Sequence, residues 1–67
     1  MSILHYETQL NEGDAWGTYD VFEDDYPIAL NEYNRTTSYT ELTSQADVEG
    51  WLAETKADGR IFDWRTV

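Results

Sequence analysis

Only the stretch from Ser44 to Gly59 in this 67-residue sequence carries helical signals that agree with one another. A chain with one short helix has to build the rest of its core from strands. Ser44 is a good N-cap, because its hydroxyl can accept from a first-turn amide, and Asp47 sits three residues on in a capping-box-like position. Both suit the positive end of the helix dipole. Val48, Trp51, Leu52 and Thr55 follow the i, i+3, i+4, i+7 spacing of a buried stripe, and Glu49, Glu54 and Lys56 are expected to face water. Gly59 supplies the left-handed residue that ends such a helix. The spacing predicts a helix over about residues 45–58.

Outside it the patterns are strand-like. Residues 3–8 mix β-branched and aromatic side chains and are expected to form a first strand, which Asn11-Glu12-Gly13-Asp14 ends as a turn. Residues 16–23 read as a second strand. One of its faces carries Trp16, Thr18, Asp20 and Phe22, the other Gly17, Tyr19, Val21 and Glu23, so alternation alone leaves the core-facing side open. Asp24-Asp25-Tyr26-Pro27 reads as a turn or strand edge, since proline cannot donate to a central ladder. Residues 28–33 form a third candidate strand, Asn34-Arg35 a turn, and residues 36–42 a fourth strand or extended connection. Residues 60–66 alternate again, with Phe62, Trp64 and Thr66 on one side. Phe22, Trp51, Phe62 and Trp64 are expected in the core. The expected fold is α+β, one compact unit over residues 1–67: a small antiparallel sheet of four or five strands with one helix packed on a face, in the order ββ(β)β-α-β.

Charge narrows the functions open to such a fold. There are 14 acidic residues against four lysines and arginines, a formal net charge of −10. Eight of the carboxylates (Glu7, Glu12, Asp14, Asp20, Glu23, Asp24, Asp25, Glu32) precede Arg35, the first lysine or arginine of the chain. A field of that sign repels nucleic acid and anionic membranes and attracts basic protein surfaces, accelerating encounter with them at low salt. Direct nucleic-acid binding and membrane binding are therefore disfavoured. The sequence has no cysteine, which removes disulfides and thiolate metal sites. It has no basic n-region at the N-terminus and no apolar run near the roughly 18 residues of a membrane span. A cytoplasmic protein is the expectation.

Chemistry is poorly provided for. Nucleophilic catalysis needs a hydroxyl or thiol beside a base, and the single histidine, His5, lies near a terminus. Carboxylate pairs are plentiful, but acid/base work needs two of them flanking a cleft, which so small a domain rarely contains. The run from Asp20 to Asp25 offers oxygens to a hard cation yet lacks the ligand spacing and internal glycine of an EF-hand loop. Gly13 and Gly17 have neither the spacing nor the lysine of a phosphate-binding loop. The expectation is a protein that is no enzyme and needs no cofactor or metal.

Three readings of the acidity remain. In the first, the chain binds and inhibits a nucleic-acid-binding protein, such as a nuclease, polymerase, defence or nucleoid protein. Carboxylates take the place of phosphates, with Glu12, Asp14, Asp20, Glu23, Asp24, Asp25, Tyr26, Glu32 and Tyr33 as the contact set. Small size and absent chemistry fit a virus-encoded inhibitor, from a phage for instance, acting in host cytoplasm. In the second, the chain is an adaptor or small structural subunit that binds a protein through exposed tyrosines, Tyr26 and Tyr33 first. In the third, acidity is an adaptation to high salt, which should spread charge evenly and not load it into one half. A monomer or a homodimer fits any of them, because an edge strand at residues 28–33 can pair with its twin.

Overall fold

The computed structural model describes residues 3–30 and 38–67. Strand β1 (Ile3–Gln9) turns back into β2 (Gly17–Phe22), and a 3-10 turn follows at Glu23–Asp25. Two short strands, β3 (Ile28–Ala29) and β4 (Glu41–Leu42), precede helix α1 (Gln45–Ala57), and β5 (Asp63–Thr66) completes the order. The fold is α+β, with antiparallel pairing throughout the described strands.

The β1–β2 connection forms where its residues demand it. The amide of Asp14 donates to the Asn11 carbonyl at 3.0 Å, and the Asn11 side-chain amide donates to the Asp14 carboxylate at 3.1 Å. Gly13 takes φ +86°, which a residue with a Cβ adopts only at a cost. The turn sets the register from Ile3 opposite Phe22 to Thr8 opposite Gly17. On the other side of β1, β5 pairs Tyr6 with Thr66 and Thr8 with Trp64, so the sheet order is β2-β1-β5. Ile28 and Ala29 pair with Leu42 and Glu41 in a separate two-stranded ladder, extended by the Leu30 amide donating to the Thr40 carbonyl at 3.0 Å. Among the described residues the strand-forming segments are thus divided between a three-stranded and a two-stranded ladder, in place of the one expected sheet of four or five. Residues 31–33, 36 and 37 of the two expected strands, and the Asn34-Arg35 turn, lie outside the described residues.

Helix α1 begins and ends close to where its caps require. Ser44 Oγ accepts from the Asp47 amide at 3.3 Å. Asp47 reaches back past the cap to Thr43, accepting from its amide at 3.0 Å and its hydroxyl at 2.7 Å, and these bonds hold the Asp47 carboxyl below its ordinary pKa. Gly59 takes φ +83° just beyond the helix. Of the expected stripe, Val48, Leu52 and Thr55 are buried and Trp51 is half-buried. Two of its expected water-facing residues turn inward by half: Glu49 accepts from the Tyr6 hydroxyl at 3.1 Å, and Glu54 accepts from the amide and hydroxyl of Ser38.

The sheet resolves the choice that alternation left open. Tyr19 and Val21 of β2, with Leu4 and Tyr6 of β1 and Trp64 of β5, turn toward the helix, while Thr18, Asp20 and Phe22 are exposed on the opposite face. The fully buried apolar residues are Tyr6, Val21, Leu42, Val48 and Leu52. Trp51 and Trp64 pack against them, Trp64 edge-on to Tyr6 at 6.0 Å and Trp51 beside Tyr19 at 5.9 Å. The two phenylalanines are corrections to the expected core. Phe22 belongs to the open face because Val21 claims the inner one. Phe62 precedes β5 in a bend that shifts the phase by one residue, so Ile61 packs inward in its place.

Candidate functional site

The acidic residues singled out from the sequence fall along one edge of the sheet. β2 is a border strand, paired only with β1 among the described residues. Glu12 and Asp14 occupy the turn that leads into it, Asp20 points from its open face, and Glu23, Asp24 and Asp25 form the 3-10 turn at its far end. All six are exposed. Six residues of strand at about 3.3 Å each put the two acidic turns roughly 20 Å apart, so the array is a line with clusters at its ends and not a single patch. Glu32 and Tyr33 lie outside the described residues.

The cations are elsewhere. Lys56 Nζ sits 3.0 Å from Asp63, Arg60 Nε 3.6 Å from Asp58, and Arg65 2.7 Å from Glu7. Arg65, on β5, also lies over the ring of Trp16, the residue before β2, at 4.0 Å, a cation–π contact that reaches across the open face of the sheet. The Lys56 ammonium and the Trp64 amide hold the Asp63 carboxyl below its ordinary pKa. These three pairs use the positive charge of the described residues around β5 and the C-terminal end of α1. Along the β2 edge His5 Nδ1 is 3.0 Å from the Asp20 carboxylate. Among the described residues no lysine or arginine pairs with Glu12, Asp14, Asp20, Glu23, Asp24 or Asp25.

The tyrosines occupy a different layer. Tyr6 is buried, and Tyr19, Tyr26 and Tyr39 are half-buried against the core. Burial raises the phenol pKa of Tyr6, Tyr19 and Tyr26. Glu49, which accepts from Tyr6, raises it further there, and the charges of Glu23 and Asp47 do so at Tyr26. The Tyr26 hydroxyl and the Trp51 indole N–H are buried with no hydrogen-bond partner among the described residues. Tyr26, named as a contact residue from sequence, thus sits under the acidic turn with its ring partly covered.

Sequence reasoning missed the apolar side chains of the open face. Ile3, Phe22 and Val67 are 39%, 42% and 77% exposed, and Ile3 and Phe22 face each other across β1 and β2. Alternation does place Phe22 with Thr18 and Asp20. Its size alone suggested the core.

Hollows indent the surface of the described residues. One of 220 Å³ is lined in part by Leu4, His5, Tyr6 and Gln45, and one of 160 Å³ lies between Thr8, Tyr19, Trp51, Leu52, Thr55 and Ile61. Neither lining contains an aspartate or glutamate, and the described residues gather no group of three His, Asp or Glu side chains that could hold a metal ion. No described helix is long and apolar enough to cross a membrane. Neither a family model nor a curated protein nor a solved structure matches this chain.

Proposed function

We propose that this chain is a small, non-catalytic protein that binds a basic protein surface through its β2 edge and inhibits a nucleic-acid-binding protein by occupying its groove. The observation that carries the reading is the separation of charge. Six exposed carboxylates run along β2 and its two turns, while the described lysine and arginines, Lys56, Arg60 and Arg65, form ion pairs with Asp63, Asp58 and Glu7, none of which belongs to that line. Exposed carboxylates on a border strand and its turns present a directional negative field to an approaching partner. Duplex DNA shows one charge per roughly 1.7 Å. Over the roughly 20 Å of the acidic line DNA would offer about twice as many charges, which makes this a partial imitation suited to a strongly basic groove.

Charged side chains on a border strand also discourage edge-to-edge aggregation, and part of the array serves that end. A guard of that kind needs charge along the strand itself, whereas Glu12, Asp14, Glu23, Asp24 and Asp25 lie in the turns beyond it. This style of surface suits a phage-encoded inhibitor. Attachment through tyrosines draws less support from the geometry, because Tyr6, Tyr19, Tyr26 and Tyr39 all pack against the core.

The test is affinity capture from a bacterial lysate with the tagged protein, washed at rising salt and then challenged with duplex DNA. The reading expects a nucleic-acid-binding protein that leaves with salt and is displaced by DNA. A partner that resists salt and ignores DNA contradicts it.

A further inference from the structure

We propose that the end of the open sheet face formed by Ile3, Phe22 and Val67 is a docking surface for a protein segment that combines an apolar side chain with lysine or arginine. The inference rests on the acidic-edge reading and deepens it by naming what the partner must carry besides positive charge.

The register puts these residues together. Ile3 lies opposite Phe22, and the Val67 amide donates to the His5 carbonyl at 3.0 Å, continuing the β1–β5 ladder by one step. Ile3, His5, Asp20, Phe22 and Val67 therefore occupy two adjacent rows on the face turned away from α1. Side chains directly opposite each other in such a ladder have Cβ atoms about 5 Å apart, so Ile3 and Phe22 form one continuous apolar surface. A solvated sheet face ordinarily carries polar side chains, and at the next row of this one Glu7, Thr18 and Arg65 do so. The exposed aromatic–aliphatic pair at one end of that face, joined by Val67 in the adjacent row, breaks that pattern.

Charge decides the occupant. Phe22 leads directly into Glu23, Asp24 and Asp25, and Asp20 stands on its own face two residues earlier. A second copy docking here by two-fold symmetry would bring two sets of these carboxylates together in a chain of net charge −10. A segment with lysine or arginine beside its apolar side chain meets the same surroundings as attraction. The other exposed apolar pair, Leu10 and Phe62, sits near the opposite end of the sheet with Arg60 close in sequence, and offers no comparable preference.

The test uses two labelled peptides, six lysines around a central phenylalanine and the same with a central alanine, titrated into the full chain at low and high salt. The phenylalanine peptide is expected to bind on the order of tenfold more tightly at either salt, as burial of a half-exposed ring pair implies. Ile3→Thr with Phe22→Thr is expected to erase that ratio and leave the alanine peptide unchanged, and Val67→Ser, at the most exposed of the three positions, to reduce it. Asp24→Asn with Asp25→Ser is expected to weaken both peptides and preserve the ratio. Equal, salt-sensitive binding of the two peptides overturns the docking surface and leaves the acidic-edge reading standing. Binding of neither peptide at low salt overturns both. Sedimentation showing a dimer that Phe22→Thr abolishes assigns the face to a second copy and overturns the proposal.

Discussion

Gly50 sits in the middle of α1, where helix propensity alone favours alanine by about 1 kcal/mol. Here a Cβ would run into the Tyr39 hydroxyl and lie 3.0 Å from its Cζ, so the ring and the helix backbone are in direct contact. Gly50→Ala is therefore expected to destabilise, by about 1–3 kcal/mol as overpacking usually does. In a double-mutant cycle with Tyr39→Phe, part of that loss should return; urea unfolding of the four proteins measures it. The buried phenol of Tyr6 makes a second prediction at this scale. Its pKa is raised in the folded chain by burial and by Glu49, so the folded state keeps a proton that the unfolded state releases from about pH 10 upward. Stability is fully present below that pH and falls above it, and Tyr6→Phe should flatten the alkaline limb of a thermal-stability profile. In acid the depressed carboxyls of Asp47 and Asp63 act in the opposite sense, contributing above their unfolded pKa near 4 and losing that contribution as pH falls through their lower folded values.

Among the elements, α1 was the most legible in the sequence, because its cap, its stripe and its stop are all local. Ser44→Ala should cost about 1 kcal/mol by freeing the Asp47 amide, and Leu52→Ala about 2–5 kcal/mol by opening a hole in the five-residue core. Denaturant midpoints would report both, with the second larger. The β1–β2 pair was legible for the same reason, its turn being spelled out by Asn11, Gly13 and Asp14. Less was legible where tertiary context decides. Nothing in residues 28–42 states that Ile28 and Leu42 pair in a ladder apart from the main sheet, since two-residue strands carry no period. The destination of Phe22 and Phe62 depended on which strand face the helix covers and on a bend before β5. Alternation with Trp64 pointed Phe62 inward and ring size pointed Phe22 there, and the backbone phase overrode both.

For the whole molecule, the acidic half was visible as composition, but its shape was not. Strand β2 draws six of the carboxylates into a line with a cluster in the turn at each end, while ion pairs gather the described lysine and arginines around β5 and the end of α1. The molecule measures 33 × 25 × 17 Å, so this line runs along a large part of it. The central claim is that this line binds a basic groove, and it stands or falls on charge. The most direct measurement is the affinity of the captured partner for the unmodified chain and for Asp24→Asn with Asp25→Ser, each titrated over a range of salt, with circular dichroism confirming that both fold alike. The account predicts weaker binding of the variant at low salt and a shallower dependence on salt, the two proteins converging as ionic strength rises. Identical affinities and identical salt dependence would contradict it.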